Sequence, residues 1–154
     1  MLYGALGSLG MGCAKPFSAR VEARWRIGLG ADALAVSADR LAVACSRSND
    51  VWLLGLPEGD FIARVDTRPR PRALLFDPRG RGLYVAADLT SVALLSVDGR
   101  RVLDDYSQPL PISGFSVDPS SGRLFCAQSG LPLLGVYSGT DFHRETSLSV
   151  GGEV

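Results

Sequence analysis

The chain repeats itself, and that repetition constrains its fold more than any other feature. Phe76-Asp77-Pro78-Arg79-Gly80-Arg81-Gly82-Leu83-Tyr84-Val85-Ala86 is echoed 41 residues later by Val117-Asp118-Pro119-Ser120-Ser121-Gly122-Arg123-Leu124-Phe125-Cys126-Ala127. Upstream, Val36–Ala44 is the same unit with a shorter turn, and Leu41 precedes Leu83 by 42 residues. Val51-Trp52-Leu53-Leu54 matches Val92-Ala93-Leu94-Leu95, again 41 apart, and Leu133-Leu134-Gly135-Val136 follows in the third unit. Gly59-Asp60-Phe61 aligns with Thr140-Asp141-Phe142 two periods on, while Asp98-Gly99-Arg100 marks that turn in the second unit. A fixed period of this length belongs to solenoids, propellers and arrays.

Each unit divides into four short strands, in the second unit Ala73–Phe76, Leu83–Ala87, Val92–Val97 and Arg101–Asp104. The first turn uses Asp-Pro-x-Gly chemistry: aspartate bonds nearby backbone, proline presets φ and glycine takes a positive φ. The next outer turn is Asp98-Gly99, a strong hairpin dipeptide. Small polar residues punctuate the chain about every 8–12 positions, and no stretch sustains a helical period. Four strands in about 41 residues make one propeller blade. The fold class expected is therefore all-β, a partial β-propeller of four-stranded antiparallel blades. The blades fall at 31–70, 71–110 and 111–154, with residues 1–30 a partial first blade or leader. Within that leader Arg20–Ile27 alternates apolar and charged residues, as an outer strand does. Leu2-Tyr3-Gly4-Ala5-Leu6 lies two periods before the Leu83-Tyr84 hairpin and suits an earlier inner strand.

Asp77-Pro78-x-Gly80-x-x-Leu83-Tyr84-Val85-Ala86 resembles the blade hairpin of YVTN-type propellers, and Val97-Asp98-Gly99-Arg100 resembles their later turn. The likeness covers about residues 31–146 and differs from strict WD40 repeats, since no unit carries a Trp-Asp dipeptide or a Gly-His start. It implies the blade skeleton only. Such families include lactonases, haem and quinone enzymes and many scaffolds, so the fold selects no function.

Closed propellers use about 4–8 blades. A chain of about three and a half leaves two raw faces of apolar surface, which implies self-association into a ring or a place in a longer protein. Acidic and basic residues balance at 16 each, so no overall field steers the chain to nucleic acid. Fifteen of the 16 basic residues are arginine, a skew read as codon bias. Three cysteines (Cys13, Cys45, Cys126) do not form a disulfide framework at these spacings, and Met1–Ala14 is too short and glycine-rich to span a bilayer. The missing positive segment at the start argues against a secretory signal, which favours a cytoplasmic setting.

No set of residues reads as catalytic, cofactor-binding or metal-ligating. His143 is the only histidine and lies among charged residues on an outer strand. Asp39, Asp77 and Asp118 recur where turn chemistry requires them. Ser37, Ser113 and Ser116 have no histidine in a triad pattern, and Gly4–Gly10 lacks the lysine of a phosphate loop. One segment stands out. Arg68-Pro69-Arg70-Pro71-Arg72 joins the first clear unit to the second, and its prolines hold three guanidinium groups on a stiff connector. In propeller topology this connector shares a face with the loops that carry Arg47, Asn49, Asp50, Asp88 and Thr90. Arg47, Asp50, Arg68, Arg70, Arg72 and Asp88 are thus the candidate partner-binding residues, suited to an acidic peptide or a phosphate. The leading function is a protein-binding or scaffolding module. The alternative is a fragment or subunit of a lactonase- or quinoprotein-like enzyme whose site forms in the central channel.

Overall fold

A computed structural model describes residues 23–96, 98–107 and 111–151. Twelve strands follow one another: β1 (Ala31–Val36), β2 (Arg40–Cys45), β3 (Asp50–Gly55), β4 (Phe61–Asp66), β5 (Ala73–Phe76), β6 (Gly82–Ala87), β7 (Ser91–Ser96), β8 (Val102–Ser107), β9 (Ile112–Val117), β10 (Leu124–Gln128), β11 (Leu133–Tyr137) and β12 (Arg144–Ser149). Among the described residues there is no helix, and none long and apolar enough to cross a membrane. The strands form three antiparallel sheets in sequence order, β1–β4, β5–β8 and β9–β12, each one blade. The chain is a partial propeller whose first strands, β1, β5 and β9, lie side by side.

Alternation along the strands gives every blade two apolar faces. One face of blade 1 presents Ala42, Ala44, Val51 and Leu53 to Leu83, Val85 and Leu95 of blade 2. The opposite face of blade 2 presents Tyr84, Ala86, Val92 and Leu94 to Leu124, Cys126 and Tyr137 of blade 3. Because β2, β3, β6 and β7 are buried on both faces, they read as near-continuous hydrophobic runs. Each fully buried Leu or Val there contributes about 1.5–3 kcal/mol.

In blades 2 and 3 the first turn is held by its aspartate. Asp118 accepts hydrogen bonds from the Ser120 amide (3.0 Å) and the Ser121 amide (3.3 Å). Asp77 accepts from the Arg79 amide at 2.9 Å, and also from the Arg79 side chain and from Arg81 Nε (2.6 Å), whose guanidinium in turn donates to the Tyr84 hydroxyl. Burial alone would raise the Asp77 carboxyl, but hydrogen bonds from Arg81 and Arg79 outweigh it and hold the group below the usual aspartate range. Arg79 also donates to Gly122 O (3.4 Å) and Gly139 O (3.5 Å), so blade 2 is clamped to two turns of blade 3. A side chain at Gly122 or Gly139 would fill the space that this guanidinium occupies.

Two sequence expectations are corrected. The strand expected at Arg20–Ile27 is not formed over 23–27, where no strand among the described residues supplies a ladder; residues 20–22 lie outside the described residues. Trp25 instead donates Nε1–H to Glu58 O (3.0 Å), and its ring rests against Gly59. The alignment of Phe61 with Phe142 is also off by two residues. Gly55 N bonds Asp60 O (2.8 Å) and Ser138 N bonds His143 O (2.9 Å), so Phe142 is the counterpart of Gly59. Both have positive φ, 82° for Gly59 and 56° for Phe142. An insertion in the third unit moved the similar letters out of structural register. Leu2–Leu6, Cys13 and Val97 lie outside the described residues.

Candidate partner-binding cleft

The connection into each blade is stitched to the loop between that blade's second and third strands. Ser46 N donates to Gly30 O (2.7 Å), Asp88 N to Pro69 O (2.7 Å) and Ser129 N to Pro111 O (2.8 Å). Connectors and these loops therefore share one rim, as propeller topology requires.

Between blades 1 and 2 this rim opens into a cleft of about 450 Å³ lined by Asp32, Ser46, Arg47, Asn49, Pro69, Arg70 and Arg72. Asn49 organises it. In the left-handed region itself (φ 56°), Asn49 accepts the Arg70 amide on Oδ1 at 2.9 Å and the Thr67 amide on its carbonyl at 2.9 Å. Arg70 is thereby held at φ 57°, a conformation that costs a non-glycine residue about 1 kcal/mol and persists only when its surroundings enforce it. Pro71 is buried beneath the connector, and the Arg72 amide bonds Ala86 O (2.9 Å). Across the cleft Gly30 (φ 71°) lets the Arg47 stem lie against it, where a Cβ would come within 2.8 Å of Arg47 Cγ.

Arg47, Arg70 and Arg72 are exposed, and none has an ion-pair partner among the described residues. Three guanidinium groups face one carboxylate, Asp32. Guanidinium forks match carboxylate and phosphate oxygens in pairs, so the cleft is chemically suited to an anion.

The other named residues are placed differently. Arg68 turns away from the cleft to Asp105 on β8, with Nε–Oδ2 2.9 Å and Nη2–Oδ2 2.8 Å. Hydrogen bonding to Asp105 raises the Arg68 guanidinium further above its already high value. Asp50 was expected on an exposed loop, but it is the first residue of β3 and 1% exposed. Arg64 Nε at 2.7 Å and Ser48 Oγ at 2.8 Å occupy its oxygens, so it holds the loop rather than facing solvent. Asp88 is exposed on the same rim at φ 47°, outside the cleft. Asp32 and Ser46 were missed: as a lone carboxylate and hydroxyl in the first unit, they carry no repeat or motif signal.

Elsewhere the buried side-chain atoms Trp52 Nε1 and Gln128 Oε1 have no hydrogen-bond partner among the described residues. His143 Nδ1 is 2.8 Å from Asp141 Oδ1 on an exposed turn. Cys45 and Cys126 are buried free thiols two blades apart, and burial pushes Cys126 up to about 12.

No family model matches the chain, and no curated protein is similar enough to count as a relative. Among solved structures, it is similar to hydrazine synthase of Kuenenia stuttgartiensis, with a TM-score of 0.69 and 18% identity. The match covers 88% of this chain and 39% of that one, so the chain spans well under half of the neighbour's length. At this identity the likeness bears on the fold alone, and it agrees with three four-stranded blades.

Proposed function

We propose that this chain is a binding module, a YVTN/WD40-like propeller segment whose connector rim captures an acidic stretch of a protein partner. The observation that carries it is the convergence of Arg47, Arg70 and Arg72, without ion-pair partners among the described residues, on one cleft whose backbone Asn49 holds in place. Arg68 belongs to the scaffold of that cleft, since Asp105 already uses its charge. A ligand with carboxylates or a phosphate spaced along an extended backbone would satisfy the three forks and leave Asp32 to select against a uniformly charged surface.

The test is titration of the whole chain with a fluorescent Asp/Glu-rich peptide at two salt concentrations. Each charge-assisted pair is worth about 1.5–3 kcal/mol, so Arg47→Glu/Arg70→Glu/Arg72→Glu should weaken binding by more than about tenfold. Arg68→Glu should weaken it far less. Equal affinity for wild type and triple variant would refute the reading. A second reading, a subunit of a propeller enzyme with its site in the central channel, draws on the neighbour being named a synthase. A chromophore or stoichiometric metal in the purified protein would favour it.

A further inference from the structure

The seam between blades 1 and 2 contains a hollow of about 70 Å³ on the far side of the connector from the arginine cleft. Val85, Ala87, Ala93 and Leu95 on β6 and β7 form its floor, and Asp66, Arg68, Val102 and Asp105 surround its mouth. Cross-strand pairing explains why it exists. Leu83 faces Leu95 and Leu124 faces Tyr137, so Leu95 holds the place that Tyr137 takes in blade 3; by the same register Ala87 holds that of Gln128. Between blades 2 and 3 the Tyr137 ring lies over Gly135, within 2.6 Å of where a Cβ would stand, and Gln128 is buried on the same face. Leu95 and Ala87 are smaller, and the missing volume is the hollow.

Its chemistry is apolar. Ser91 Oγ is bonded to Ala87 O (2.8 Å), and Thr67 Oγ1 to Asn49 O (3.2 Å) and Arg68 O (3.0 Å), so both hydroxyls in the lining are already used. Water inside finds few partners, and an apolar group gains by displacing it. At the mouth two carboxylates, Asp66 and Asp105, stand against one guanidinium, Arg68, which Asp105 holds at 2.8 Å. An acidic side chain is disfavoured there, whereas the cleft sets three guanidinium groups against one carboxylate. The two sites adjoin. Arg68 borders the hollow, Pro69 and Arg70 border the cleft, and Thr67 bonds the same Asn49 that organises the cleft. Arg68 and Arg70 are at most about 7 Å apart along the chain, a span that two extended ligand residues cover.

We propose that the hollow is an anchor subsite for one apolar side chain, without a polar tip, carried by the same protein partner whose acidic stretch enters the arginine cleft. The inference rests on that reading of the cleft and adds which kind of residue must neighbour the acidic stretch. At about 70 Å³ against about 450 Å³ for the cleft, the hollow takes a single side chain and not a chain segment. Charge sorts the ligand: its carboxylates go to Arg47, Arg70 and Arg72, and its neutral residue goes past Arg68 into the seam.

The experiment titrates the full chain with fluorescent Asp/Glu-rich peptides that differ at one residue, placed two or three positions from the acidic run, on either side in separate peptides. That residue is Leu, Ser or Asp. Burying the leucine should tighten binding about tenfold over the best serine peptide, and aspartate should bring no gain. Ala87→Leu fills the hollow, and Val102→Asn alters an exposed side chain at its mouth, so the second variant should fold even where the first is strained; circular dichroism verifies the strands of both. Each variant should lose the leucine gain while its affinity for the serine peptide stays nearly unchanged. A serine peptide that binds, with no gain from leucine at any position, would overturn the subsite and leave the cleft reading standing. A leucine gain that survives in both variants would also overturn it, because the leucine then sits elsewhere. If no peptide binds at all, both readings fall.

Discussion

The two seams inside this molecule occupy equivalent positions and are filled in opposite ways. Between blades 1 and 2 the presenting face is lined by Ala42, Ala44 and Ala63, with Ala33 and Ala35 beside them. Between blades 2 and 3 the same slots carry Tyr84 and Ala86, and Tyr106, Phe115, Tyr137 and Phe142 gather around them. Phe142 stacks between Tyr106 (4.4 Å) and Tyr137 (4.9 Å), both at 16°. The alanine seam brings backbones close: Gly99 of blade 2 seats on Leu53 and Ala63 of blade 1, where a Cβ would come within 2.1 Å of Leu53 Cδ1. The aromatic seam is filled by rings and uses Arg79 to clamp its turns. One repeat register therefore tolerates two packing solutions, provided that the total volume between the sheets is filled.

Phe142 shows what the aromatic solution costs. It occupies a left-handed position where its counterpart is glycine, and the strain is offset by burying its ring between two tyrosines. The largest expected effect follows. Phe142→Ala should destabilise by about 3–5 kcal/mol, read by urea unfolding, because it leaves a cavity and keeps a side chain at positive φ. Phe142→Gly should be about 1 kcal/mol more stable than Phe142→Ala despite being smaller, since glycine relieves the backbone. The reverse ranking would show that no strain is stored there.

The alanine seam should break in the other direction. Ala44→Leu adds volume where two sheets already meet, and should cost about 1–3 kcal/mol in the same assay. The half-buried counterpart Ala127→Leu on blade 3 should cost less in the isolated chain. Similar costs at both positions would mean that packing at Ala44 is loose.

The smallest effect concerns the clamp. Asp77 is held below the usual aspartate range in the fold, so its contribution to stability is present above about pH 4, the unfolded value, and fades as pH falls through its lower folded value. Melting temperature should therefore drop on acidification below about pH 4. Asp77→Asn should lower stability at pH 7 and flatten that decline. The exposed Asp118 and Asp141, both lowered to about 2 by serine and, for Asp141, also histidine hydrogen bonds, titrate over the same window and leave part of the decline in place.

Much of the architecture was legible from letters alone because it rests on local chemistry. Strand ranges in the second unit, the Asp-Pro-x-Gly turns and the buried slots of Cys45 and Cys126 depend on alternation and turn residues that any blade reuses. The cleft was legible in part. Arg70 and Arg72 were evident in the proline-stiffened connector, and Arg47 in a loop on the same rim. Asp50 was misplaced because burial of a carboxylate depends on Arg64, a partner on another strand.

What the sequence determined by itself was the period, the four-strand unit and the turn that opens each one, all set by interactions within a few residues. Tertiary structure decided which like residues part company: Arg68 pairs with Asp105 while Arg47, Arg70 and Arg72 keep their charges open. It also decided that Phe142 takes the glycine position. These outcomes depend on side chains about 40 residues apart meeting across a seam, and local pattern carries no record of which ion pair or ring stack forms there.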